Sequence, residues 1–285
     1  VFGKVWKIDG LASPGGTWEC AERRAGMPNT LYKAVEWTGV AERITSGVSI
    51  RRHPTDQDGL LVMFGTGKYF EVGDGVTSVD SQIQSFYTIW DDGTGTQYQR
   101  SQLLEHEILS EIDVDGDGET DWRITTSEGD DLAYKLDWAT DKGWFIDLRY
   151  SGGTEYGEQV VRKPLIRNNR VIFVTTVPDG DPCGYGGSSW IMEVDANTGN
   201  RLPSSPFDVN GDGVIDANDL LDFGGEDTIV SGTRSKEGIV ATPGILNSPD
   251  GIERKYFSGT SGNIDVVRES IDDSFTRRQS WRQLR

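Results

Sequence analysis

The chain reads as an all-β protein of the propeller type, and three observations lead there. Glycine is abundant, 36 of 285 residues, while hydrophobic residues make up 35% and fall in short runs bounded by turn residues. Such composition favours many short strands over long amphipathic helices. Nine Trp and nine Tyr supply large side chains for packing between sheets. Finally, a strand-and-turn unit recurs along the chain, which is the signature of a blade repeat.

In chain order, residues 2–9 (Phe-Gly-Lys-Val-Trp-Lys-Ile-Asp) read as the last strand of a preceding unit. The first full unit opens at Gly47 and reaches Pro54, continues through the apolar run 59–67, and ends in 86–91 (Phe-Tyr-Thr-Ile-Trp-Asp). A weaker unit lies between Leu103 and Tyr150, its clearest strands being 122–126 and 143–148. The second strong unit opens at Gly157, reaches Pro164, and runs through 170–176 and 189–199. A third strong copy runs from Gly238 to Pro243, then 255–259 and 262–267. Proline suits a strand start or sheet edge, where its missing N–H costs no ladder bond. Glycine closes the turns. Units of about 40–50 residues with several strands each predict propeller blades. Residues 1–285 are therefore expected to form the C-terminal part of a single β-propeller domain, with about four blades and one strand of an earlier blade. Helix is expected at most for a turn or two after Ala217. Val1 opens inside a strand-like stretch with no signal peptide, which predicts a segment of a longer protein whose N-terminal blades lie upstream.

A formal net charge of −18 argues against nucleic acid as a partner, since phosphates demand clustered Lys and Arg. No apolar run approaches the roughly 18 residues that read as a membrane-spanning helix. Cys20 and Cys183 are the two cysteines, and spacing alone leaves open whether they form a bridge or two separate thiols.

Part of the negative charge is concentrated in two loops that together hold eight Asp, at 113–121 and 208–219. Each places oxygen-bearing side chains at positions 1, 3, 5 and 9 with glycine at position 6, the spacing by which an EF-hand-type loop wraps calcium. In the first, Asp113, Asp115 and Asp117 offer carboxylates, Glu119 a backbone carbonyl, and Asp121 a direct or water-mediated oxygen. Position 12, where an EF-hand carries a bidentate Glu, is Ile124, so this is a nine-residue cage. In the second loop the ligands are Asp208, Asn210, Asp212, the Val214 carbonyl, Asp216 and, at position 12, Asp219. It resembles half of a dockerin, although dockerins carry two such loops within a short domain. Oxygen-only ligands favour Ca2+ over zinc or copper. Weak loop sites suit the millimolar calcium outside cells, so an extracellular or periplasmic setting is expected.

Other motifs carry less. Gly65-Thr-Gly-Lys68 fails as a phosphate loop: Val62 stands where the earlier glycine is needed and Tyr69 replaces Ser/Thr. His53 and His106 have no visible partners for a triad or a histidine metal site. The pairs Asp91–Asp92, Asp130–Asp131 and Asp272–Asp273 read as solvated turns and not as glycosidase acid and base. Trp6, Trp90, Trp144 and Trp190 fall at comparable last-strand positions and read as core between sheets; a girdle stacking on a redox cofactor is the alternative. No catalytic residue is expected.

Several longer strings resemble the C-terminal region of the PilY-type proteins of type IV pili. They are 64–70 (Phe-Gly-Thr-Gly-Lys-Tyr-Phe), 84–90 (Gln-Ser-Phe-Tyr-Thr-Ile-Trp), 181–190 (Asp-Pro-Cys-Gly-Tyr-Gly-Gly-Ser-Ser-Trp), 205–213 (Ser-Pro-Phe-Asp-Val-Asn-Gly-Asp-Gly) and 278–283 (Arg-Gln-Ser-Trp-Arg-Gln). The resemblance implies a modified β-propeller, non-enzymatic, at or near a pilus tip or the outer membrane, behind an N-terminal adhesive region. It implies pilins and the pilus assembly machinery as partners, with a host or surface ligand for adhesion, and roles in pilus biogenesis and twitching motility. It also implies that calcium in the nine-residue loop tunes the balance of extension and retraction, a role that falls on Asp113, Asp115, Asp117, Glu119 and Asp121. The chain departs from some members in lacking an Arg-Gly-Asp string. Two other functions fit the loops: a quinoprotein-like propeller dehydrogenase with calcium beside a planar cofactor, and a cohesin-binding dockerin-like module.

Overall fold

The computed structural model describes residues 30–270, apart from 37, 56, 76, 79–80, 154–155, 181–184 and 248–251, together with short strand segments before residue 30. Among these residues the regular structure is β, interrupted by three short 3-10 turns. The all-β expectation holds.

Ten strands form one curled sheet. Its first half is a four-strand antiparallel meander of Ser49–Arg52, Leu60–Gly65, Ser85–Asp91 and Gly143–Tyr150. Its second half repeats the pattern with Leu165–Arg167, Arg170–Val174, Trp190–Asp195 and Gly232–Arg234. A hairpin of Leu104–Ile112 and Trp122–Thr125 joins them, pairing in parallel with Gly143–Tyr150 on one side and antiparallel with Gly232–Arg234 on the other. The unit read between Leu103 and Tyr150 is thus divided: its strand at 122–126 pairs with Leu104–Ile112, which the sequence did not mark, to make the joining hairpin, and its strand at 143–148 completes the first meander. Their final partners lie some distance along the chain, and the entropy of closing such a loop grows only slowly with its length.

The outermost strands, Ser49–Arg52 and Leu165–Arg167, come together as the sheet curls. Ser49 Oγ donates to the Pro164 carbonyl at 2.6 Å, and Arg51 donates to Asn169 Oδ1 at 3.0 Å. Side chains, not a ladder, close the seam.

Period-two alternation explains why the central strands read as continuous apolar runs, because both faces of the sheet are buried. Inside the curl pack Leu61, Met63, Phe86, Trp144 and Ile146 from one half, against Val171, Phe173, Trp190 and Met192 from the other. Phe86 and Phe173 meet across this interior with parallel rings 4.0 Å apart. Outside, Val62, Phe64, Tyr87 and Ile89 are covered by Val5, Leu31 and Tyr32 from the N-terminal strands. Val174 and Ile191 are covered by Val240 and Phe257. Phe257 belongs to a separate three-stranded sheet of Gly244–Asn247, Ile252–Ser258 and Ile264–Ser270. Trp90, Trp144 and Trp190 are buried core residues, as expected; the Trp6 side chain and the Cys20–Cys183 pairing lie outside the described residues.

One placement follows from the internal repeat. Both acidic loops are insertions between the third and fourth strands of their meanders, the first at the tip of the joining hairpin and the second between Trp190–Asp195 and Gly232–Arg234.

Candidate metal centre

The hairpin strands deliver the first loop. Asp121 N–H donates to the Ile112 carbonyl at 2.8 Å, closing the loop at its base. Inside it, Asp113, Asp115 and Asp117 each accept from a backbone N–H further on. Asp113 accepts from Gly116 at 2.7 Å and from Gly118 at 2.9 Å, Asp115 from Asp117 at 3.1 Å, and Asp117 from Glu119 at 2.8 Å. Gly116 and Gly118 have φ of 76° and 93°, a left-handed conformation that side chains disfavour and this tight reversal requires. One oxygen from each of Asp113, Asp115 and Asp117 lies within 4.8 Å of the others. Unit charges about 4 Å apart repel by roughly 1 kcal/mol even in bulk water, so this arrangement favours a cation among them. Asp121 Oδ2 accepts from Val114 N–H at 3.0 Å, and its Oδ1 lies 3.8 Å from Lys236 Nζ.

Beneath this loop, Arg123 anchors the hairpin. It is fully buried, bonds Glu158 at 2.8 and 2.9 Å and Glu111 at 2.5 Å, and lies 4.1 Å over the Trp190 ring. The flanking carboxylates hold it charged despite its burial.

The second loop repeats the geometry. Asp208 Oδ2 accepts from Gly213 N–H at 3.0 Å, Asn210 Oδ1 from Asp212 at 2.9 Å, and Asp212 Oδ1 from Val214 at 2.8 Å. Asp216 Oδ1 accepts from Asn218 N–H at 2.7 Å. Asp219 is buried and accepts three N–H groups, from Val209 at 2.7 Å, Asn210 at 3.3 Å and Asp216 at 2.7 Å. Asp208 Oδ1 is buried without a hydrogen-bond partner among the described residues. A buried carboxylate oxygen of this kind costs free energy unless something positive meets it. The all-oxygen donor sets and that orphaned oxygen fit a hard divalent cation. Where a dockerin half would continue into helix, this chain turns into the hairpin of Leu221–Phe223 and Glu226–Thr228.

Folding brings the two loops to one place. Trp122, which follows Asp121, meets Phe207, which precedes Asp208, at a ring distance of 5.8 Å. Ile124, Val209, Val230 and Leu221 pack around the pair. Neither this contact nor Arg234, Lys236 and Arg268 beside the loops was signalled by local sequence.

The remaining candidates are structural. His106 is buried between Thr126 Oγ1 and the Thr198 carbonyl, and burial lowers its pKa. His53 packs on Trp90 and Trp138. Lys68 pairs with Glu71 and Asp74, and Asp130 with Arg201. Asp272 and Asp273 lie outside the described residues. A separate polar cluster lies under the first meander: buried Glu42 accepts from Ser85 at 2.7 Å and Tyr87 at 2.6 Å, with Arg100 bridging Tyr87 and Asp147. Burial outweighs these bonds and raises the Glu42 pKa to about 7.

The molecule is therefore an all-β, propeller-type domain with two aspartate-rich loops set side by side. A family model described as the PilY1 beta-propeller domain matches residues 13–125. The chain is 32% identical over 219 residues to the type IV pilus biogenesis factor PilY1 of Pseudomonas aeruginosa, covering 74% of this chain and 18% of that protein. It is 29% identical over 201 residues to a PilY1 homolog of Xylella fastidiosa, covering 70% of this chain and 13% of that one. The crystal structure of the Pseudomonas aeruginosa PilY1 C-terminal domain superposes with a TM-score of 0.67 at 25% identity, over 86% of this chain and 48% of that one. The chain is related to the PilY-type family of type IV pilus proteins through their C-terminal β-propeller region. It spans less than a fifth of the length of these curated relatives.

Proposed function

We propose that this chain is the calcium-binding, non-enzymatic propeller segment of a type IV pilus biogenesis protein, the C-terminal part of a single propeller, acting at the cell surface or pilus tip. The observation that carries the calcium part is the convergence of Asp113, Asp115 and Asp117 oxygens within 4.8 Å on a glycine-turned loop. The first ion would be held by these three, the Glu119 carbonyl and Asp121. The second would be held by Asp208, Asn210, Asp212, the Val214 carbonyl, Asp216 and Asp219. Calcium supplies the positive charge that offsets the clustered carboxylates. The chain's own contribution is a rigid base: Arg123 and its glutamates beneath the hairpin, and Trp122 on Phe207 between the loops. The pilus part rests on the relatives, described as type IV pilus biogenesis factors. In that setting the partners are pilins and the assembly machinery, and the ordered loops form a surface through which calcium influences extension, retraction, adhesion and twitching.

Isothermal calorimetry tests the site. Asp113→Ala with Asp117→Ala is expected to remove one calcium-binding event while leaving the far-UV spectrum unchanged. An unaltered titration would overturn the assignment. In the source organism, the same double variant is expected to change the twitching zone; wild-type motility would count against the pilus role.

A further inference from the structure

A groove lies beside the two loops, and the metal reading does not use it. Trp122 and Phe207 line it, and three cations, Arg234, Lys236 and Arg268, outnumber two carboxylates, Asp208 and Asp265, around it, in a chain whose net charge is −18. Its volume of 280 Å3 is at or below the lower end for ligand pockets, enough for part of a longer molecule. One wall is the Ile264–Ser270 strand, which pairs with Ile252–Ser258 along one edge. On its other edge, among the described residues, an isolated bridge joins Glu269 to Phe207. The stretch from Asp265 to Arg268 therefore faces the groove as a sheet edge, and Ile264 and Val266 on this strand are 62% and 44% exposed. An edge of this kind is a template for another strand.

We infer that this groove receives an extended, acidic peptide segment of a partner protein, added as a further strand along Ile264–Arg268. Main-chain hydrogen bonds would supply register, and alternate side chains would enter the groove. There, one carboxylate meets the cations of Arg234, Lys236 and Arg268, and an apolar residue two positions along the strand packs on Trp122 and Phe207. Arginine suits a carboxylate because its N–H groups form a fork. Nucleic acid fits poorly, since a phosphate at every residue would run on past the cations into the flanking acidic loops, whereas a strand turns only alternate side chains to the groove and needs one acid there. The inference stands without calcium, but the two are linked through Asp208, which belongs to the second loop and also lines the groove. Neutralising that carboxylate makes the groove more positive, so calcium is expected to tighten binding.

Fluorescence anisotropy with two labelled probes tests this: a peptide with Thr at every second residue and Glu and Val taking turns between them, which puts Glu and Val on one face of a strand, and its counterpart with Lys in place of each acid. The acidic probe is expected to bind at least about tenfold more tightly. Lys236→Glu with Arg268→Glu, both on exposed side chains, is expected to lower that affinity at least about tenfold with unchanged far-UV spectrum and melting temperature. A proline at the centre of the acidic probe, which cannot donate to a strand ladder, is expected to weaken it similarly. Equal binding of both probes, or undiminished binding to the charge-reversed variant, overturns the inference. So does concentration-dependent self-association in sedimentation velocity that the charge reversal abolishes, since the occupant would then be a second copy of this chain. Measuring in EDTA and in excess calcium separates the two readings. Peptide binding with no calcium titration would sink only the metal assignment, and calcium binding with no peptide affinity would sink only the groove.

Discussion

Asp121 and Asp219 stand at different loop positions, ninth and twelfth, yet accept the same hydrogen bond. Each takes the backbone N–H of its loop's second residue, Val114 at 3.0 Å and Val209 at 2.7 Å. The shorter cage and the longer one are thus closed by equivalent carboxylates. The difference is burial: Asp219 is fully enclosed and holds two further N–H groups, whereas Asp121 keeps one oxygen toward Lys236.

That difference predicts unequal costs. Asp219→Ala would strand three N–H groups and is expected to destabilise the calcium-free protein by about 1–3 kcal/mol. Asp121→Ala is expected to cost less, roughly 1 kcal/mol, because it loses one such bond. Thermal unfolding in EDTA checks the order. A larger loss for Asp121→Ala would show that the loops are not closed in this way.

Arg123→Met removes the cation between two buried carboxylates. Uncompensated buried charge typically costs 3–5 kcal/mol, and this loss is expected at neutral pH in urea unfolding. Replacing Arg123, Glu111 and Glu158 together by apolar residues of similar volume is expected to recover most of it. If the single variant matches wild type, the trio does not anchor the hairpin.

Glu42 predicts a pH dependence of unusual sign for a carboxylate. Burial raises its folded pKa to about 7, against an ordinary value of 4.5. Between those values the unfolded chain gives up the proton and the folded one keeps it, so this group's contribution to stability falls as pH rises through the window. The penalty is complete above pH 7 and amounts to roughly 3 kcal/mol. Glu42→Gln is expected to flatten the slope and to melt higher than wild type at pH 8. A stability profile unaffected by the substitution would contradict this.

Two glycines should behave oppositely although both have positive φ, 134° at Gly143 and 76° at Gly116. At Gly143, with φ of 134°, a Cβ would fall 1.9 Å from the Thr88 carbonyl oxygen inside the sheet, so Gly143→Ala is expected to prevent stable folding. At Gly116 nothing lies within 4 Å, and Gly116→Ala should cost only backbone strain, about 1 kcal/mol. Soluble yield and melting temperature distinguish them.

Much of this protein was legible along the chain. Most strands of both meanders stood out because alternation and glycine–proline punctuation act over a few residues. The openings read at 157–164 and 238–243, however, are bends and isolated bridges, the strand following the first at Leu165–Arg167, and nothing in the sequence marked Gly232–Arg234. The acidic loops stood out because their oxygens and glycines sit at fixed spacing, and the Trp90, Trp144 and Trp190 core followed from strand position. Pairing was less legible. That Gly143–Tyr150 completes the first meander, while Leu104–Ile112 runs parallel beside it, depends on burial between segments far apart in sequence.

The two loops show where that boundary falls. Their internal geometry is a local property of Asp, Asn and Gly at set positions, and three of its bonds recur: Gly118 to Asp113 as Gly213 to Asp208, Asp117 to Asp115 as Asp212 to Asn210, and Glu119 to Asp117 as Val214 to Asp212. Their partnership is not local. Trp122 meets Phe207, and Arg234, Lys236 and Arg268 gather at one groove, because the curled sheet brings equivalent insertions of its two halves together and must bury the aromatic residues at their bases. Hydrophobic burial is non-directional, so residue spacing alone does not say which distant surfaces it will join.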